Sequence, residues 1–160
     1  MGMNRQDKKF MLLAIEKAKQ GIRKGQTPFA AAIVRKNIII SCVHNIVWQK
    51  MDITAHAEIN AIRLACKKLK TVDLSDCVIY STCEPCPMCF SACHWAKISK
   101  IVYGTRIENA RAAGFSELLI SNQNMKKLGK SRIKIVKDFM PKENLLLFAL
   151  WLKQKNRRVY

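Results

Sequence analysis

Acidic residues are scarce: 11 Asp and Glu stand against 29 Lys and Arg in 160 residues, leaving a net charge of +18 at neutral pH. That excess creates a field that draws anionic ligands and polyanions toward the protein. The basic residues are nevertheless spread from Lys8 and Lys9 through Lys67 and Lys68 to Arg157 and Arg158, with no single run. The charge alone therefore assigns no partner. Long apolar stretches are missing too. The run from Leu145 to Leu152 is far shorter than the roughly 20 residues a membrane-spanning helix requires. The apolar patch behind the N-terminal Met-Gly-Met-Asn is broken by Glu16, Lys17 and Lys19, so no secretory leader is expected and a cytoplasmic location follows.

No Gly/Ser linker, repeat or low-complexity tract divides the chain, which predicts a single domain over 1–160. A globule of this size buries roughly 70% of the surface its unfolded chain exposes, so one core suffices. With 49% hydrophobic and 25% charged residues the composition excludes disordered and fibrous classes.

Cysteine is plentiful. Four of the seven cysteines fall within Cys83 to Cys93, and the odd total and the crowding favour reduced thiols and metal binding over disulfides.

Apolar residues at Phe10, Leu13, Ala14 and Ala18 predict an amphipathic helix over about 7–24. Phe29 to Val34 and Ile38 to Val43 are rich in strand formers and separated only by Arg35-Lys36-Asn37, which predicts a hairpin. Thr54 is placed to cap a helix running to about Leu69, with Ile59, Ile62, Cys66 and Leu69 on one face. Cys77 to Ser81 reads as a strand, and Pro85 and Pro87 mark the start of a helix that continues through Ala96. Ile101 to Tyr103 and Ile133 to Val136 read as strands, and Glu143 to about Lys155 as a final helix. The order α-β-β-α-β-α-β-β-α implies an α/β fold, a three-layer α/β/α sandwich around a mixed sheet of about five strands.

Two short segments carry chemistry: His56-Ala57-Glu58 and Pro85-Cys86-Pro87-Met88-Cys89, each at the start of a predicted helix. Cys86 and Cys89 are one helical turn apart, so their sulfurs share a face and can grip one ion. A His-Cys-Cys set suits tetrahedral Zn2+ and leaves the fourth position for water, as a catalytic zinc requires. Two thiolates make the metal a weaker Lewis acid than three imidazoles would. A nearby base must therefore take the water proton, and Glu58 fits that role.

Cys83, Cys86, Cys89 and Cys93 also form a C-x2-C-x2-C-x3-C run like that of iron–sulfur proteins. His94 stands where such runs usually carry a proline, and this reading gives His56 and Glu58 no task. Cys83 and Cys93 are then expected to be small buried thiols beside the site.

H-x-E followed by P-C-x-x-C, with the glutamate as acid and base rather than ligand, is the pattern of zinc nucleobase deaminases. From Pro28 to Glu117 the chain resembles the cytidine deaminase-like superfamily and, within it, the bacterial guanine deaminases. The resemblance is carried by Pro28-Phe29, Asn45, Thr54-Ala55-His56-Ala57-Glu58, Cys83 to Cys89, Trp95-Ala96 and Ala113-Gly114-Phe115. It implies one zinc per chain on His56, Cys86 and Cys89, with Glu58 catalytic. It further implies that Asn45 and the Ala57 backbone hydrogen-bond the base, and that Phe29 and Trp95 wall the pocket. Glu117 would accept from the N1/N2 edge of guanine, although an aspartate is more common there. The resemblance also implies a homodimer whose C-terminal segment, about 140–160, is swapped so that Tyr160 closes a site. A tRNA adenosine deaminase shares both half-motifs and would give the charge a nucleic-acid partner. That branch has a Gly-Ala-x-Gly-Ser segment after its fourth strand, where this chain has Gly104 to Phe115. Deaminases of other aminated bases or nucleosides, such as guanosine, cytosine or cytidine, share the same motifs.

Overall fold

The structure, a computed structural model, describes residues 5–160. Residues 1–4, where the stretch read for a leader begins, lie outside the described residues. The chain runs α1 (Arg5–Arg23), β1 (Ala30–Arg35), β2 (Ile38–His44), α2 (Val47–Lys50), α3 (Ala57–Leu69), β3 (Cys77–Cys83), α4 (Pro87–Trp95), β4 (Lys100–Thr105), α5 (Ile107–Ala112), α6 (Asn122–Leu128), β5 (Lys134–Val136) and α7 (Pro141–Leu152). The five strands form one mixed sheet in the order β2-β1-β3-β4-β5. β1 is antiparallel to both β2 and β3, while β3, β4 and β5 are parallel.

Alternation along the strands sends successive side chains to opposite faces. Tyr80 and Val102 pack with Phe10, Met11 and Ile15 of α1 and with Leu147, Phe148 and Trp151 of α7. Ile79, Ile101 and Tyr103 pack with Ala57, Ala61 and Ala65 of α3 and with Phe90 and Cys93 of α4. Small residues at positions 57, 61 and 65 let α3 lie close on the sheet. On the other face Gly104 does the same for α7: a Cβ there would come within 2.2 Å of the Asn144 side chain. The result is the expected α/β/α sandwich with a mixed five-stranded sheet.

Several details differ from the sequence reading, among them the one-turn helix α2, which it did not contain. Thr54 does not cap α3; His56 takes that position, and Thr54 donates through its backbone N–H and its hydroxyl to Asp52 instead. α7 begins at Pro141, because proline suits the first helical turn, and stops at Leu152. The segment between β4 and β5 holds two short helices, α5 and α6, that periodicity does not reveal.

All seven cysteines are free thiols. No described helix is long and apolar enough to cross a membrane.

Candidate active site

The parallel strands β3 and β4 end on one side of the sheet, and the antiparallel neighbour β1 begins there. α3 and α4 both start at this edge, and the two starts are built alike. His56 is the N-cap of α3 with φ −62° and ψ 156°, and Cys86 is the N-cap of α4 with φ −61° and ψ 167°. Neither side chain caps its own helix. Both are therefore free to point across the gap between the helices.

The three donors meet there. His56 Nδ1 lies 3.7 Å from Cys86 Sγ and 3.6 Å from Cys89 Sγ, and all three donor atoms fall within 4.8 Å of one another. Zinc with Zn–N of about 2.0–2.1 Å and Zn–S of about 2.3 Å holds tetrahedral N and S donors roughly 3.6 Å apart. The spacing and the nitrogen–sulfur chemistry both fit that ion. Among the described residues this is the donor group of three or more that could hold a metal. Cys83 and Cys93 are both buried, and the Cys83 thiol donates to the Arg106 carbonyl at 3.5 Å, so the four-cysteine run does not converge.

Glu58, one position into α3 beyond Ala57, is buried against this group. The Ser81 hydroxyl donates to its Oε1 at 2.9 Å, and Cys89 Sγ donates to its Oε2 at 3.5 Å. Ser81 reaches it because positions 77, 79 and 81 of β3 face α3. Burial pushes the Glu58 carboxyl up, with His56 pulling against it. The hydrogen bond from Cys89, helped by His56, holds the Cys86 thiol down at about 4, and Cys89 is raised well above the usual thiol range in return. Burial opposes charging of His56, but the adjoining Cys86 outweighs it and leaves the imidazole raised.

Phe29, Asn45, Glu58 and Glu117 line a small hollow with His56 and Cys86. Asn45 is fully buried, and its Oδ1 accepts from the Val47 N–H at 3.0 Å. This turns Nδ2 toward the hollow as a donor. Phe29 packs edge-on against Phe115 at 4.9 Å and Phe148 at 5.8 Å, presenting an apolar wall. Ala57 is buried at the first position of α3. Glu117 also lines the hollow, and burial pushes its carboxyl up to about 7, with negative Cys86 adding to the shift.

Tyr160 closes the hollow in its own chain. Asn45 Nδ2 donates to its hydroxyl at 2.7 Å, and the Ser116 N–H donates to its carbonyl at 3.0 Å. Its ring lies 5.4 Å from both His56 and Phe115. The preceding residues are tied down at Trp48, whose Nε1 donates to the Arg158 carbonyl at 3.3 Å while the Arg158 guanidinium sits 4.3 Å over the indole. Behind Tyr160 the hollow has about 20 Å³ of space, enough for roughly one water.

Trp95 is not brought to the hollow. It ends α4 with its side chain 83% exposed and its ring near His94. The helical turn explains this: Cys89 and Cys93 occupy the inward face, and a position six residues beyond Cys89 points away from it. Sequence reasoning missed Ser81, Trp48 and Glu84. Glu84 lies inside the quoted Cys83 to Cys89 segment, but nothing in its spacing indicates what it holds.

A nitrogen–sulfur metal site beside a buried carboxylate, at the strand ends of a mixed α/β/α sheet, defines the class of zinc-type deaminases. The chain belongs to the cytidine and deoxycytidylate deaminase family, whose zinc-binding region matches residues 4–105. It is 36% identical to the guanine deaminase of Bacillus subtilis (strain 168) over 152 residues, covering 94% of this chain and 97% of that one. It is 43% identical to the tRNA-specific adenosine deaminase of Aquifex aeolicus (strain VF5) over 94 residues, covering 59% and 62%. The solved guanine deaminase of Nitrosomonas europaea superposes with a TM-score of 0.83 at 28% identity, covering 94% of this chain and 86% of that one.

Proposed function

We propose that this enzyme deaminates a free purine base, guanine, to xanthine and ammonia. One observation carries the reading: Asn45 and Glu117 line one hollow beside the donor group, the amide Nδ2 offering a donor and the carboxyl an acceptor. Guanine offers the complement, with acceptors at O6 and N7 and N–H groups along its N1/N2 edge. The match to the Bacillus guanine deaminase over 94% of this chain supports the same choice.

His56, Cys86 and Cys89 would hold zinc. A zinc ion there supplies a Lewis acid that makes a water molecule easier to deprotonate. The chain's residues do the rest. Phe29 and the Ala57 backbone hold the ring flat against the donor group, and Glu117 and Asn45 fix its rotation. Glu58 takes a proton from the attacking water and passes it to the ring nitrogen beside the amine-bearing carbon. Glu58 then takes the second proton from the oxygen now bonded to that carbon and gives it to the amine; the carbon–nitrogen bond breaks and ammonia leaves, so guanine and water give xanthine and ammonia with Glu58 restored as carboxylate. Ser81 holds Oε1 of Glu58, leaving Oε2 turned toward Cys89 and the reacting atoms.

Exposed apolar side chains at Ile53, Met88 and Leu118 line the site's mouth. Such a patch supports pairing with a second copy, in which the tail carrying Tyr160 would be exchanged.

Ammonia release from zinc-loaded protein tests the substrate, using guanine, guanosine, cytosine, cytidine, adenosine and an anticodon stem-loop in parallel. Guanine is expected to give the highest kcat/KM. Release from the stem-loop alone would overturn the reading in favour of a tRNA adenosine deaminase.

A further inference from the structure

Glu84 is 5% exposed, and the chemistry above leaves its carboxylate without a task. It follows β3 directly, and its N–H donates to the Thr105 carbonyl at the end of β4 at 2.8 Å. Its backbone is thus locked to the strand from which the next segment departs. Its two oxygens go to opposite ends of that segment. Oε2 accepts from the Ile107 N–H at 3.4 Å, where α5 begins, and Oε1 accepts from the Asn122 N–H at 2.8 Å, where α6 begins. A parallel tie joins the same elements: Asn122 Nδ2 donates to the Pro85 carbonyl at 2.6 Å.

Between the two anchored N–H groups lie Phe115, which packs on Phe29, Trp151 and Tyr160, and Glu117, which faces the hollow. Cys86 lies two residues beyond Glu84 on the other side. One buried carboxylate therefore connects the residue that faces the substrate's edge to the loop that carries a donor of the metal group. We propose that Glu84 is a positioning residue whose carboxylate clamps both ends of the 107–122 segment and so sets the gap between Glu117 and the His56-Cys86-Cys89 group. The width of that gap decides which ring fits. The kinetic consequence rests on the guanine reading; the clamp itself does not.

The test uses zinc-loaded, full-length Glu84→Gln, Glu84→Ala and Asn122→Ala proteins. Gln keeps one acceptor oxygen, and Asn122→Ala leaves Glu84 intact while removing the parallel tie. Loosening of Glu117 should raise KM for guanine by about 10-fold in Glu84→Gln and toward 100-fold in Glu84→Ala, since misplacement of about 1 Å can cost that much. Asn122→Ala should shift KM in the same direction by less. Zinc content should equal wild type and kcat should change far less than KM, whereas a merely destabilised fold would lower apparent kcat at constant KM. Amide hydrogen exchange in 113–121 should quicken in all three variants while α1 and β1 stay protected. If Glu84→Gln does not fold, Asn122→Ala decides the question. The exchange measurement needs no substrate, so a wild-type enzyme that ignores guanine defeats the guanine reading and still leaves the clamp decided. Unchanged exchange in 113–121, or a loss of kcat with KM untouched, would overturn the clamp.

Discussion

The side-chain amide of Asn45 donates to the phenol of Tyr160 at 2.7 Å, joining positions 115 residues apart in sequence. Asn45 has its oxygen committed to the Val47 N–H, so the phenol occupies the donor that a base would use. The hollow beside Asn45 has room for about one water, while a cavity of about 330 Å³ bordered by Tyr160 opens against His56, Cys86 and Glu117.

On the proposed reading Tyr160 would act as a lid that shifts to admit the base and closes again to keep bulk water from the reacting atoms. Deleting Val159 and Tyr160 is expected to lower kcat/KM for guanine by about 10-fold or more. Steady-state kinetics of the truncated protein check this. An unchanged or higher kcat/KM would show that the tail is not a working lid.

Ser81 offers a finer test, since its hydroxyl holds Oε1 of the buried Glu58 carboxylate. A hydrogen bond to a charged group contributes on the order of 1.5–3 kcal/mol, and its loss also frees the carboxylate to turn. Ser81→Ala should therefore lower kcat by about 10-fold or more while zinc content stays at the wild-type level. Ser81→Thr, which keeps the hydroxyl, should recover most of the rate. Equal rates in Ser81→Ala and wild type would remove the residue from the account.

The candidate metal donors were readable in the sequence because their geometry is nearly local. Cys86 and Cys89 share one turn, and His56 stands two residues before Glu58 at the start of a helix. The five strands and the long helices follow from periodicity in the same way. Ser81 and Glu84 could not be read so, since their partners lie 23 or more positions away and meet them only through sheet register. α5 and α6 span 6 and 7 residues, too few turns to show a helical period, and the Ile107 and Asn122 N–H groups that open them go to the distant Glu84, alongside local caps from Asn109 and Ser121. Trp95 was assigned to the pocket by resemblance alone, and the phase of α4 turns it outward.

On the proposed reading Glu58 moves protons at a site whose metal would be held by other residues. Glu58→Ala tests it most directly, with zinc per chain and ammonia release from guanine measured on the same preparation. Zinc content equal to wild type is expected, with turnover reduced by about 10²- to 10⁴-fold or more, the usual contribution of a positioned acid and base. Full activity in Glu58→Ala, with zinc bound, would contradict it.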